Sequence, residues 1–285
     1  MSATGATWID GRIVAADLPA IRPDDHGFLV GDGVFETLLV RDGRPLFWDR
    51  HVARLERALA VAGIESAPLR SLETAGRECL DASGLREARM RITVSSGPGG
   101  DGLRRGAAPT VVVRVTPLAT GSNGLAPARV LTMPGARNER SLLAGVKTTS
   151  YADAATLLAR AVEAGADDVL LGDSCDRLSE ALTANVVVVL AGRVLTPGPA
   201  SGCLPGIVRD LLLQAGVAEE ADLPLTALAD VEEVFLTSSV AGVRPVASID
   251  GRKVPIVDGP AADRARRAIA QAEAAELARR SGPTS

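Results

Sequence analysis

Between Asp49 and Gly63, Val52, Leu55, Leu59 and Val61 fall on one broad face, while Arg50, Arg54 and Arg57 lie elsewhere. That spacing predicts an amphipathic helix ending at the glycine. Upstream the pattern is that of strands. The run TWI, the turn Asp10-Gly11-Arg12 and the run IVAADL read as a hairpin. VFETLLV is a second β-rich run, closed by Arg41-Asp42-Gly43-Arg44, and PLFW is expected to return beside it. A helix is expected at about Leu72–Ala82, then two strand-like runs, ARMRITVSSG and PTVVVRVTPL, separated by the loop GPGGDGLRRGAA.

TGSNGLAP is small, polar and turn-prone, as a linker is. It divides the chain into a smaller N-terminal α/β domain (1–119), a linker (120–127) and a larger C-terminal domain (128–285). The second part reads as the strand ARVLTM, a helix from about Tyr151 to Ala164, the strand DDVLLGD, and the pair LTANVVVVLAG and RVLTPG. PGIVRDLLLQAG then starts with proline and ends with glycine, the favoured order for a helix. Two strands in EEVFLTSSVAGVRPVASIDG and an Ala-rich amphipathic surface helix, Ala261–Arg280, complete the chain. Strands and helices mix without strict βαβ alternation, so the fold class is α/β of the mixed α+β kind.

A length of 285 residues with 46% apolar composition suffices for two modest domains. Aromatic residues are only 2%, so Val, Leu, Ile and Ala must fill the core. Lys and Arg (31) are interspersed with Asp and Glu (35), with no basic stripe, which argues against a nucleic-acid partner and for a small molecule. Cys79, Cys175 and Cys203 lack the paired spacings that hold zinc, so free thiols in a reducing cytoplasm, and no metal, are expected. There is no leader pattern and no apolar run of the ~20 residues a membrane span needs, so neither secretion nor a membrane partner is expected.

Lys147 stands between apolar LLAGV and TTSY, with Lys253 the one other lysine of the second half. Desolvation disfavours a charged lysine, as Schiff-base formation requires, although most lysines are solvated surface charges. GCLPGIVRD sets Gly206, Ile207 and Val208 at a helix start, where backbone N–H groups and the dipole attract phosphate. Thr237-Ser238-Ser239 adds donors at a strand end, and Arg54 a charge; singly, each reads as readily as an ordinary cap, turn or solvated arginine. Glu180 and Asn185 lie ahead of and at the start of a buried-looking strand. A carboxylate there serves either a protonated ring nitrogen or a turn. With only His26 and His51 available no Ser-His-Asp set is credible, and GPGGDG is not followed by the helix of a dinucleotide fingerprint.

In order, DHGFLVGDGVFET, HVARL, LAGVKTTSY, SEALTAN, LPGIVRD and FLTSSVAGVRPV resemble the class IV (fold type IV) pyridoxal-phosphate family, over roughly Ile9 to Val246. This family includes branched-chain aminotransferases, D-amino-acid aminotransferases and 4-amino-4-deoxychorismate lyases. The resemblance implies a two-domain D-amino-acid aminotransferase-like fold with pyridoxal 5'-phosphate in the interdomain cleft, carried by the C-terminal domain, and a homodimer. It implies Lys147 as the Schiff-base lysine and Glu180 as partner of the pyridine nitrogen. Arg54, Ile207, Val208, Ser238 and Ser239 would hold the phosphate, and Tyr151 the phenolic oxygen. Val208 stands where many members have threonine, leaving only its backbone N–H.

GDGVFET resembles the lyase and D-amino-acid branches. Thr37 favours the lyase, in which a threonine at this place is credited with protonating the departing enolpyruvate; the D-amino-acid enzymes resemble a valine there. Asp101 replaces the arginine usual in the lyase loop, so Arg104 or Arg105 is expected to meet the substrate carboxylate. The expected activity is therefore conversion of 4-amino-4-deoxychorismate to 4-aminobenzoate and pyruvate for folate biosynthesis, with Lys147 as base and Thr37 as acid. A transaminase of D-amino or branched-chain amino acids with a 2-oxo acid acceptor is the alternative. A non-catalytic binding protein that kept the fold is a third reading, and intact Lys147 and Glu180 speak against it.

Overall fold

The computed structural model describes residues 5–15, 18, 20–64, 71–99, 102–106, 108–118 and 125–279. The chain divides into two compact units, Met1–Thr120 with Val146–Tyr151, and Gly121–Gly145 with Ala152–Ser285. Lys147 thus groups with the first unit, although it follows the expected linker. Residues 120–124 of that linker, and Asp101, lie outside the described residues.

The first unit contains β1 (Ala6–Ile9), β2 (Arg12–Val14), α1 (His26–Leu29), β3 (Gly33–Arg41), β4 (Arg44–Pro45), α2 (Trp48–Ala62), α3 (Leu72–Ser83), β5 (Ala88–Ser95) and β6 (Thr110–Pro117). Its sheet runs β2-β1-β6-β5-β3-β4, and the pairings between these neighbours are antiparallel. Asp10 and Gly11 both take positive φ (44° and 99°), as a tight hairpin turn demands. PLFW does not continue as a strand: β4 stops at Pro45, Phe47 turns left-handed at φ 54°, and Trp48 opens α2. The short helix α1 was not legible from periodicity, because it is a single turn capped by the Asp25 carboxylate accepting from the Gly27 N–H.

The anticipated apolar face of α2 buries Leu55 and Leu59 with Trp48, and α3 adds Leu72, Ala75 and Cys79, against Leu38, Met90, Ile92 and Val113 of the sheet. Val61, counted with that face, is exposed.

The second unit contains β7 (Ala128–Arg137), α4 (Ala152–Glu163), β8 (Asp168–Asp173), β9 (Leu178–Ala181), β10 (Asn185–Leu190), β11 (Arg193–Pro197), α5 (Ile207–Gln214), β12 (Glu219–Ala221), β13 (Glu233–Ser238), β14 (Gly242–Ile249), β15 (Arg252–Lys253) and α6 (Pro260–Arg279). Its sheet runs β12-β11-β10-β13-β14-β7-β8-β9, with β15 beside β14. The pairs β14–β7, β7–β8 and β11–β12 are parallel and the others antiparallel.

The all-valine run of β10 follows from burial on both faces. Val186 and Val188 enter one core with Leu170, Leu236 and Val246, while Val187 and Val189 pack with Phe235 and residues of α5 and α6. Glu233, buried in β13, accepts from the N–H groups of Gly259, Ala261 and Ala262, so a carboxylate caps the N-terminus of α6. The run read as the strand LTANVVVVLAG starts at Asn185 as β10, and a separate short strand that the sequence did not mark, β9, precedes it and carries Glu180. No helix among the described residues is long and apolar enough to cross a membrane.

Candidate active site

In the first unit, the segment after Val146 runs beside the start of β3. The Phe35 N–H donates to the Lys147 carbonyl (2.9 Å) and the Thr149 N–H to the Gly33 carbonyl (2.8 Å). The Thr149 and Ser150 hydroxyls both donate to the Gly31 carbonyl. These bonds fix the Lys147 backbone on the glycine-rich DHGFLVGDGVF segment, which explains why small residues follow the lysine. The Lys147 Nζ sits 4.4 Å from the Phe35 ring centroid and 5.7 Å from that of Tyr151, and the two rings meet edge to face at 5.4 Å.

Arg91 of β5 lies over the same Phe35 ring, its Cζ 3.6 Å from the centroid. It stands directly across the ladder from Thr37. Because side chains alternate along a strand and directly paired residues share a face, Phe35, Thr37, Arg91 and Thr93 line one face of this sheet. The Arg91 Nε donates to the Thr93 hydroxyl at 3.2 Å, and no carboxylate pairs with its guanidinium among the described residues. Burial pushes its pKa down, neighbouring Arg89 adds to that, and Tyr151 opposes it. A half-buried cation of this kind is a receptor for an anion.

Glu36, only 1% exposed, accepts from Arg54 through two bonds, Nε to Oε1 and Nη2 to Oε2, both 2.7 Å, and pairs with the His51 Nδ1 at 2.7 Å. Burial alone would raise the carboxyl's pKa; the bonds from Arg54 and His51 outweigh it and hold the group at about 2. His51 is shifted the other way: burial pushes its pKa down, against the pull of Glu36. The outcome is an arginine whose guanidinium plane is fixed by a bidentate carboxylate.

The expected substrate arginines behave differently. Arg105 places Nε and Nη2 on Asp32 (2.7 and 2.6 Å) and Nη1 on the carbonyls of Ala62 and Gly63 (both 2.8 Å). It ties its loop to the end of α2. Arg104 is exposed.

In the second unit, the hairpin from β8 to β9 is set by buried Asp173, which accepts from the backbone of Cys175 and Arg177 and from the Arg177 guanidinium. That turn delivers Glu180, which is 7% exposed. Its Oε1 pairs with the Arg137 Nη2 at 3.0 Å, and its Oε2 accepts from the Leu204 N–H at 2.9 Å. Gly206 caps α5 without a side-chain oxygen, so no side chain caps the Ile207 and Val208 amides at the positive end of the dipole. The Ser238 hydroxyl accepts from the Ala241 N–H, shaping the turn that holds Ser239.

Two buried hydroxyls here, Ser179 Oγ and Thr237 Oγ1, have no hydrogen-bond partner among the described residues. They neighbour Glu180 and Ser238 in sequence, and a bound group is one of the partners that buried polar atoms left so can take. A side-chain-free helix start, a hydroxyl-bearing strand end and an anchored carboxylate are the donor and acceptor set that a phosphorylated pyridine requires, so these residues fit pyridoxal phosphate. Among the described residues no cluster of His, Cys, Asp and Glu could hold a metal ion, and the three cysteines are free thiols.

Sequence reading missed Phe35, Glu36, His51, Arg91 and Arg137. The composition held one signal: with four Phe and one Tyr in the chain, an aromatic beside the lysine is unusual.

Residues 33–249 match the family model for amino-transferase class IV. The chain is 30% identical over 271 residues to the bifunctional aminodeoxychorismate lyase / D-amino acid transaminase of Mycobacterium tuberculosis, covering 87% of this chain and 92% of that protein. It is 30% identical over 245 residues to the aminodeoxychorismate lyase of Vibrio harveyi (79% and 86% covered). Among solved structures, a hypothetical aminotransferase from Mycobacterium tuberculosis in its PLP-bound form superposes with a TM-score of 0.82 at 27% identity, over 95% of this chain and 99% of that one. The Escherichia coli branched-chain amino acid aminotransferase, 23% identical, shares the fold at a TM-score of 0.85 over 94% of both chains. The chain therefore belongs to the class IV aminotransferase family: it is a fold-type IV enzyme with pyridoxal phosphate as cofactor, and acts as an aminodeoxychorismate lyase or a transaminase.

Proposed function

We propose that this enzyme is an aminodeoxychorismate lyase, releasing 4-aminobenzoate and pyruvate. The observation that carries this reading is the pairing of Thr37 with Arg91 on the sheet face where Phe35 meets Lys147. Bound pyridoxal phosphate supplies an electron sink for the amine-bearing carbon of the substrate. Lys147 holds the cofactor and, once released from it, its amine moves the proton from that carbon. The Thr37 hydroxyl gives a proton to the departing enolpyruvate, which a valine there could not do. Arg91 takes the substrate carboxylate in place of Arg104 and Arg105, since Arg105 is held by Asp32. Arg54, Ile207, Val208, Ser238 and Ser239 hold the phosphate, Glu180 meets the ring nitrogen, and Tyr151 packs beside Lys147 near the phenolic oxygen. Transamination of D-amino acids is the second reading, supported by the 30% identical relative of Mycobacterium tuberculosis named for both activities.

Enzymatically generated 4-amino-4-deoxychorismate should yield 4-aminobenzoate, assayed beside D- and L-amino acids with 2-oxoglutarate. Turnover of amino acids with no 4-aminobenzoate would reject the lyase. Thr37→Val should lower lyase turnover by about 10²-fold, the scale of one general acid, and leave transamination nearly intact. Equal losses would remove Thr37 from the proton transfer. Arg91→Gln should raise the substrate KM by about tenfold or more, the worth of a charge-assisted contact, with little change in cofactor binding.

A further inference from the structure

Glu180 of β9 is held by residues from outside its own strand. Arg137, at the end of β7, places Nη2 on Glu180 Oε1 at 3.0 Å and Nε on the Gly202 carbonyl at 2.7 Å. The other carboxylate oxygen accepts from the Leu204 N–H at 2.9 Å and, more distantly, from the Asn185 amide at 3.4 Å. Asn185 also donates to the Leu204 carbonyl at 2.8 Å, and a Cβ on Gly206 would come within 1.9 Å of its Oδ1, so only glycine fits there. The arginine, the carboxylate, the asparagine and the turn from Gly202 to Gly206 form one network, which ends where α5 begins.

We propose that Arg137 is a positioning residue that acts through Glu180, fixing the orientation and the negative charge of the carboxylate offered to the cofactor's ring nitrogen. The inference rests on the proposed role of Glu180. An ion pair favours the carboxylate form over the neutral acid, and a two-pronged arginine also restrains the side chain's rotation. Without Arg137 the buried carboxylate would lose the cation beside its Oε1 and either take up a proton or turn away. By its bond to Gly202, Arg137 further links the ring-nitrogen end of the cofactor site to the helix start assigned to the phosphate.

The test compares dissociation constants of pyridoxal phosphate and of its 1-deaza analogue, which has a C–H in place of the ring nitrogen, for the reconstituted full chain. Wild type should prefer pyridoxal phosphate. Arg137→Gln should reduce that preference by about tenfold, the worth of one charge-assisted hydrogen bond. Glu180→Gln should reduce it similarly, and combining the two should add little. Arg137→Lys, which retains the charge and the better prospect of a native fold, should keep most of the preference. If Arg137→Gln weakens both cofactors equally, or the lysine variant loses the preference entirely, Arg137 does not act through the carboxylate and the proposal is overturned. If Glu180→Gln leaves the preference at the wild-type value, the placement of Glu180 itself is wrong, and that result is distinct from the first.

Discussion

Replacing Lys147 with alanine is expected to abolish the covalent link to the cofactor and to lower turnover by about 10²–10⁴-fold, the contribution of one positioned base. The chain makes the test clean, because Lys147 and Lys253 are its only lysines. Borohydride reduction of the holoprotein followed by peptide mapping should place the cofactor's mass on the peptide containing Lys147. Lys253, exposed in the two-residue strand β15, should remain unlabelled. The visible band should disappear in Lys147→Ala, while thermal stability without cofactor changes little, since the backbone bonds of Lys147 to β3 do not depend on its side chain. Label on Lys253, or a persisting covalent band in the alanine variant, would refute the assignment.

The second large effect is expected at Glu36. Its carboxylate is the partner of two buried groups, Arg54 and His51, so Glu36→Ala leaves a buried guanidinium without its bidentate partner. Breaking a buried pair from one side costs about 3–5 kcal/mol, which should appear as a lowered urea midpoint. Cofactor affinity should fall as well, if Arg54 holds the phosphate. A midpoint within error of wild type would show that the cluster contributes nothing net.

The same cluster predicts the acid limb of stability. A carboxyl at about 2 in the folded chain, against 4.5 unfolded, takes up its proton more readily when unfolded. Its contribution is therefore complete above pH 4.5 and is lost as pH falls toward 2. His51, whose pKa is depressed by burial, acts in the same direction from 6.5 downward, because the unfolded chain is again the better base. Glu36→Gln should remove the carboxyl's part of this decline below pH 4.5 and, by taking away the partner that raises the His51 pKa, deepen the His51 part. An unchanged limb would rule out Glu36 as its source.

Much of the architecture was legible because its causes are local. Asp10-Gly11 and Asp42-Gly43 make tight turns through backbone preferences within the turn itself, and α2 and α5 follow from apolar spacing and from glycine at their ends. The order of segments around Lys147, Glu180 and LPGIV carried the family and hence the cofactor. PLFW misled because the left-handed Phe47 ends the hairpin at once, and β9 escaped notice because LSEA is only four residues long and carries two polar side chains although all four are buried.

What the sequence alone determined is thus the fold family and the cofactor, each recorded in contiguous motifs. The tertiary structure decided which charges face which. Glu36 meets Arg54 and His51 only when β3 packs against α2, Arg91 reaches Phe35 only through the register of β5 on β3, and Arg105 is claimed by Asp32 across its loop. These contacts join residues far apart in the chain, and a pairwise electrostatic energy depends on distance and burial that no local pattern encodes. For that reason Arg91 is proposed for the substrate carboxylate from the structure, whereas the sequence pointed to Arg104 or Arg105 of the glycine-rich loop.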